Sequence, residues 1–166
     1  SVTVICSDKT GTLTENRMTV TVVDVADVHL TMNELLTNDT PDGPDPISLA
    51  LIASVLCNDA VLVTMDNHTA IGDPTETALL IAAAQKGFFK SKLEDCLPRI
   101  KERAFDSSRK RMTTLHLLKN NDLPPALRDL ASLPYTAFTK GSVDGLIQVS
   151  DTVWNNNHLE PITEEW

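Results

Sequence analysis

A chain of 166 residues is long enough for one domain, or one and a fraction, with a real core. Its 42% hydrophobic and 22% charged composition is that of a globular protein. No apolar run approaches the roughly 18 to 20 residues needed to cross a bilayer, and V-T-V-I-C at the start lacks the length and the basic flank of a secretion signal, so the chain reads as cytosolic. A formal net charge of -9 argues against nucleic acid, whose binding depends on Lys and Arg against phosphates.

In chain order, Val2 to Cys6 is a short β-branched run suited to a strand buried on both faces. Thr19 to Val25 is a second strand, followed by the loop T-N-D-T-P-D-G-P-D-P. Asp45 and Pro46 are predicted to open a helix through about Cys57, with Ile47, Ala50, Leu51, Ser54 and Val55 on its small or apolar face. Val61 to Met65 and His68 to Ile71, split by Asp66 and Asn67, form a hairpin. The next helix has the clearest signals: Asp73 at the N-cap, Pro74 at N1, Glu76 at N3 closing a capping box, and Gly87 as the stop.

Further on, Arg99 to Asp106 and Arg111 to Leu118 read as strands joined by the polar turn S-S-R-K. Lys119 to Pro134 is a loop with a short helix around Ala126 to Ala131; Thr136 to Thr139 is another strand and Val143 to Val149 a helix. Strands that mostly follow one another, with helices in groups, predict an α+β fold with an antiparallel sheet. The tail has no stop signal, so the chain reads as a piece of something longer.

The charges are unevenly spread. Nine of the 14 basic residues lie between Lys86 and Arg111, and Val20 to Gln85 has none. That cluster offers a small anion a local positive field, though a solvated charged face explains most of it equally well. Cys6, Cys57 and Cys96 follow no C-x-x-C spacing and read as buried, reduced thiols. His29, His68, His116 and His158 share no metal-ligand spacing.

Chemistry concentrates at S-D-K-T-G-T-L-T. An aspartate at the end of a buried strand projects into the crevice where open α/β sheets place ligands. There it can act as a nucleophile toward phosphate, helped by Mg²⁺, Lys9, Thr10 and the amides around Gly11. A plain turn accounts for the same residues. No G-x-x-x-x-G-K-S/T loop is present.

The heptad Asp8-Lys9-Thr10-Gly11-Thr12-Leu13-Thr14 resembles the phosphorylation signature of the P-type ATPases, ion pumps of the haloacid-dehalogenase-like superfamily. Cys57-Asn58-Asp59 resembles the family's C-N-D/N element, and Gly72-Asp73-Pro74-Thr75-Glu76-Thr77-Ala78-Leu79 its G-D/E-x-T-E-x-A-L element. Phe105 through Met112 resembles F-x-S-x-x-K-x-M, and Thr139-Lys140-Gly141-Ser142 the K-G-A element. The resemblance implies a nucleotide-binding domain over 19–166, complete or truncated at its C-terminal end, with helices flanking a twisted antiparallel sheet. Residues 1–18 would be one phosphorylation-domain strand with its loop and hinge, the hinge running from Thr14 to Val20.

By the same resemblance Asp8 is phosphorylated by ATP, Lys9 and Thr10 assist, and Asp8 and Thr10 meet Mg²⁺. Phe105, Lys110, Lys140, Glu76, Asp73, Gly141 and Cys57 would surround the nucleotide, Phe105 stacking on adenine and Cys57 packing nearby without a redox role. On the residues alone, Phe105 reads as core, and Asp73 and Glu76 as helix caps. The implied partners are ATP and the remaining phosphorylation, actuator and transmembrane domains of the same pump, with the fragment itself monomeric. The implied location is the cytosolic part of a membrane protein, and the transported ion Ca²⁺ first, with monovalent and other divalent cations open.

There are departures. Ser107 stands where calcium pumps often have arginine, so a phosphate contact is lost or moved to Arg109, and K-G-S-V-D replaces K-G-A-P-E. The T-G-E and G-D-G-x-N-D motifs do not occur, which disfavours a freestanding dehalogenase-like phosphatase; a nucleotide sensor with a vestigial Asp8 is the non-enzymatic rival. The chain is accordingly expected to bind ATP without efficient turnover.

Overall fold

A computed structural model describes residues 17–25, 28–39, 45–64, 69–119, 122–155 and 158–163. The strand expected over Val2 to Cys6, the heptad at Asp8 and the residues Lys9 and Thr10 lie outside them, as do Cys6 and His68.

The element order is β1 (Val22–Val25), β2 (Val28–Thr31), α1 (Met32–Thr37), α2 (Pro46–Leu56), β3 (Val61–Thr64), β4 (Thr69–Ile71), α3 (Pro74–Gln85), α4 (Lys90–Cys96), β5 (Arg99–Asp106) and β6 (Arg111–Leu117). A 3₁₀ turn at Pro125–Leu130, β7 (Tyr135–Gly141), α5 (Val143–Ile147), β8 (Thr152–Asn155) and β9 (His158–Pro161) complete it. Among the described residues every strand pair is antiparallel: three two-stranded hairpins, β1-β2, β3-β4 and β8-β9, and one three-stranded sheet in the order β5-β6-β7. The α+β expectation stands.

The three-stranded sheet buries one face. Met112, Thr114 and His116 alternate along β6 as its buried positions, and Phe138 and Lys140 of β7 pair with Thr114 and Met112 on that same face. Against it lies α2, apolar nearly all round because it is packed on several sides at once: by β7, by α3, by α4 and by the 3₁₀ turn. The core joins Leu51, Ile52, Val55 and Leu56 of α2 to Leu80 and Ala83 of α3, Leu93, Leu97, Leu127 and Phe138. The buried stripe of α2 is Ser48, Leu51, Ile52, Val55 and Leu56, so the helix is turned about one residue from the expected 47/50/51/54/55 face. The α3 contribution is mostly alanine, Ala78, Ala82, Ala83 and Ala84, whose small side chains let its backbone lie close.

Several elements differ from expectation. The first strand shortens to Val22–Val25 and gains a partner in β2, and α1 follows immediately, closed by a true capping box between Thr31 and Glu34. The box expected at α3 forms only by half: Asp73 accepts from the Thr75 and Glu76 amides at 2.9 and 3.4 Å, but the Glu76 carboxylate is turned elsewhere. Helix α4 begins at Phe89 with no side-chain cap. Ser142 caps α5, its Oγ accepting from the Gly145 amide at 3.3 Å, so the K-G-S-V-D departure keeps an ordered turn. The tail contains the β8-β9 hairpin.

His116 is fully buried, edge-on to Phe138 at 5.6 Å, with Nδ1 2.8 Å from the Leu97 carbonyl. A carbonyl can only accept, so Nδ1 carries the proton and Nε2 is a buried lone pair without a partner among the described residues. Burial pushes the imidazole pKa down, only partly countered by the Leu97 carbonyl. The unfolded chain therefore binds a proton that the folded one resists. Stability contributed by neutral His116 is complete above the ordinary histidine value of about 6.5 and is lost as pH falls from there toward the lower folded value. Urea unfolding at pH 7.5 and 5.5 should show a larger loss in the parent than in His116→Gln; equal losses would contradict this origin.

Candidate functional site

The site is assembled at one end of the three-stranded sheet, where β5 stops, β6 starts and β7 stops. Lys140 stands opposite Met112, and Gly141 opposite Arg111. In β5 the register passes from Arg103↔Thr113 to Asp106↔Arg111, so Ala104 and Phe105 together face the single residue Met112. Such a bulge re-aims side chains at a strand end. Phe105 is 63% exposed, which rules out the core reading.

The turn after Phe105 is tied by the Asp106 carboxylate, which accepts from the Ser108 and Arg109 amides at 3.0 and 2.9 Å and from the Ser108 hydroxyl. Those bonds, the hydroxyl's first, hold the Asp106 pKa below the usual carboxylate range. Lys110 closes the turn with φ of +51°, a left-handed conformation uncommon outside glycine. Its ammonium takes no hydrogen bond or ion pair among the described residues. Arg109, the alternative phosphate contact, donates back to the Ala104 carbonyl at 3.0 Å. Gly141 is needed for close approach: a Cβ there would stand 2.4 Å from the Lys110 carbonyl and 2.6 Å from Arg111 Cβ.

Lys140 is three-quarters covered and forms an ion pair with Glu76 Oε1. The other Glu76 oxygen accepts from the Asp59 amide at 3.0 Å. That bond is why the carboxylate leaves its own helix terminus. Asp73 remains at the helix cap, its carboxylate spent on backbone amides. Cys57 is buried and its Sγ donates to the Met112 carbonyl at 3.5 Å, one strand from Lys140. Thus Glu76, Lys140, Gly141, Lys110 and Phe105 gather at one sheet end, Cys57 lies beneath, and Asp73 serves the helix. Asp8, Lys9 and Thr10 are outside the described residues.

Most of the basic cluster proves not to be a free positive field. Lys86 binds the carbonyls of Leu35, at 2.9 Å, and Asn38; Lys90 those of Asn58, at 2.6 Å, and Ala60, at 3.2 Å. Arg111 reaches the Gly145 carbonyl at 3.2 Å, and Lys92 lies 5.3 Å from the Phe89 ring centre. Arg99 donates to the carbonyls of Leu56 and Asn58 and to the carboxylates of Asp59 and Glu102. Lys90 and Arg99 were missed as contributors, because only the tertiary fold brings them to the Cys57-Asn58-Asp59 segment.

A separate cleft of about 90 Å³ lies between Arg17–Val20 and the Ala78, Ile81, Ala82 and Gln85 face of α3, sharing no residue with this cluster. Among the described residues no group of three or more His, Cys, Asp or Glu is arranged to hold a metal, and no helix is long and apolar enough to cross a membrane.

With this geometry in hand, the family model described as "P-type ATPase, cytoplasmic domain N" matches residues 47–166. The chain belongs to the P-type ATPase family. It is 38% identical over 164 residues to "Calcium-transporting ATPase 1" of Bacillus cereus, an alignment covering 99% of this chain and 16% of that protein. It is 37% identical over 165 residues to "Cation-transporting ATPase pma1" of Synechocystis (89% and 17%) and 35% identical over 165 residues to "Calcium-transporting ATPase" of Bacillus subtilis (91% and 17%). The chain therefore spans about a sixth of the length of these relatives.

Gly141→Ala tests the assembly of the sheet end. The added methyl must push β7 from the Lys110–Arg111 backbone, at a cost of about 1 to 3 kcal/mol. Urea unfolding should register that loss, and a variant as stable as the parent would show that the approach is looser than the geometry requires.

Proposed function

We propose that this chain is the nucleotide-binding part of a longer P-type cation pump, cytosolic and monomeric in itself, with ATP as its ligand. The observation that carries the reading is Phe105: a large aromatic side chain held in solvent at a strand end, just before the turn that carries Lys110, whose ammonium has no partner among the described residues. An exposed ring offers a face for a base to stack on, worth roughly 1 to 3 kcal/mol. Lys110 and Lys140 supply cations for the phosphates, Glu76 lines the approach from α3 with Asp73 capping the helix behind it, Gly141 lets β7 close on the Lys110 turn, and Cys57 packs below the base.

The names of the relatives support transport, calcium first among the candidate ions. In the longer protein the Asp8 carboxylate attacks the γ-phosphorus of ATP, the β,γ-bridging P–O bond breaks, and ADP departs with that electron pair; water later releases phosphate. Lys9 and Thr10 offset the transferring charge. Mg²⁺, met by Asp8 and Thr10, would supply further neutralisation when bound. We place the boundary between phosphorylation segment and nucleotide domain at residues 18 and 19. The remaining phosphorylation, actuator and transmembrane domains are its partners in the same polypeptide.

Two measurements check this reading. Titration calorimetry at two ionic strengths should find that Phe105→Ala weakens ATP and adenosine alike, by about five- to more than a hundredfold, with little salt dependence. Lys110→Ala and Lys140→Ala should weaken ATP more than adenosine and flatten the salt dependence. Unchanged affinity in a Phe105→Ala variant that melts like the parent would remove the stacking role. Incubation with γ-labelled ATP and acid quench should give no stable stoichiometric phosphorylation of this chain alone, whereas in the full-length pump Asp8→Asn should abolish the phosphoenzyme and spare nucleotide binding.

A further inference from the structure

The polar network beneath the sheet end runs further than the residues that could touch a nucleotide. Arg99 is a strand residue of β5, six positions before Phe105, with its side chain only 18% exposed. One terminal nitrogen donates to Asp59 Oδ1 at 2.7 Å and to Glu102 Oε2 at 2.8 Å; the other donates to the Leu56 and Asn58 carbonyls at 3.2 and 2.6 Å. The planar fork thus fastens both the backbone and the side chain of the Asn58–Asp59 segment, which a lysine could not do. Asn58 is fully buried, its amide donating to the Glu76 and Ser54 carbonyls at 2.9 and 3.1 Å while its oxygen accepts from the Ala60 amide at 2.8 Å. The next residue, Asp59, presents the amide that holds Glu76, and Glu76 holds Lys140.

We propose that Arg99 is a positioning residue for nucleotide binding, acting through the Asn58–Asp59 segment on the Glu76–Lys140 pair. The inference rests on the nucleotide reading above. Arg99 touches neither Phe105 nor Lys140; its four bonds fix where the Asp59 amide points, and that amide decides whether the Glu76 carboxylate lies toward Lys140 or swings back to its helix terminus. Lys90 shares the Asn58 carbonyl but makes no bond to Asp59 side-chain oxygens among those described, so it braces the loop without orienting its amide as directly.

The test is a double-mutant cycle on the 166-residue chain, with ATP as the probe in titration calorimetry and unfolding followed in parallel so that affinity refers to folded protein. Arg99→Met should raise the ATP Kd by about fivefold or more, and Arg99→Lys should recover only part of that. In a Glu76→Ala background, Arg99→Met should change the Kd by less than about twofold, because the group it positions is gone. A merely structural Arg99 would lower the melting temperature in both backgrounds, leave the Kd of the folded protein unmoved, and overturn the inference. So would a full Arg99→Met effect that persists without Glu76. If the parent binds ATP and Phe105→Ala and Lys140→Ala weaken it while the cycle is additive, the nucleotide reading survives and the Arg99 role falls. If the folded parent binds no ATP, both fall.

Discussion

The last carbonyls of α2 and of the residues just after it point into the protein rather than into water. A helix end leaves carbonyls without intrahelical partners, and a buried end must find donors for them elsewhere or lose the cost of dehydrating each one. The Asn58 amide takes the Ser54 carbonyl, Thr114 and Arg99 take that of Leu56, and Lys90 and Arg99 converge on that of Asn58. Cationic donors suit this position, since the helix dipole places partial negative charge at its C-terminus. Burial first, and then the neighbouring Arg99 charge, depress the pKa of Lys90. Burial would depress that of Arg99 too, but the bonds to Asp59 and Glu102 outweigh it and leave the guanidinium raised.

This need explains the charge pattern of the chain better than a ligand does. The region between Lys86 and Arg111 is basic because its side chains complete backbone hydrogen bonding in a domain whose preceding segment contributes no cation of its own. Lys86, Lys90, Arg99, Arg109 and Arg111 all donate to main-chain carbonyls. Replacing Lys90 or Arg99 removes a donor from a part-buried carbonyl, a penalty of a different kind from loss of surface charge.

How far the sequence foretells this depends on whether the controlling forces are local. The caps of α2 and α3, the β3-β4 and β5-β6 hairpins and β7 were legible because turn chemistry and alternation act within a few residues. Helix α1 also carried a local signal, Thr31 with Glu34 three residues later, which went unread. Helix α4 carried none: seven residues rich in charge, uncapped, with only Leu93 and Cys96 buried. The motif positions Phe105, Lys110, Lys140 and Gly141 meet at one sheet end as their spacing suggested. Glu76 shows the limit. Its place three residues after Asp73 fits a cap, yet the Asp59 amide and a lysine from β7 take its carboxylate from the helix terminus, and no local pattern encodes that competition.

The two halves of the sheet end are consequently held with unequal firmness. Lys140 and Glu76 are mostly covered and wired through Asp59 and Asn58 to the core. Phe105 and Lys110 stand on β5 and its turn, where residues 100–106 are all exposed and the loop is tied by the Asp106 carboxylate and by Arg109 donating to the Ala104 carbonyl. Pairing with Glu76 also offsets the Lys140 charge at a distance, so on the proposed reading a polyphosphate would first sense Lys110, on a chain whose net charge of -9 repels it. On the proposed nucleotide reading, discrimination therefore rests more on the ring of Phe105 against a base than on long-range steering.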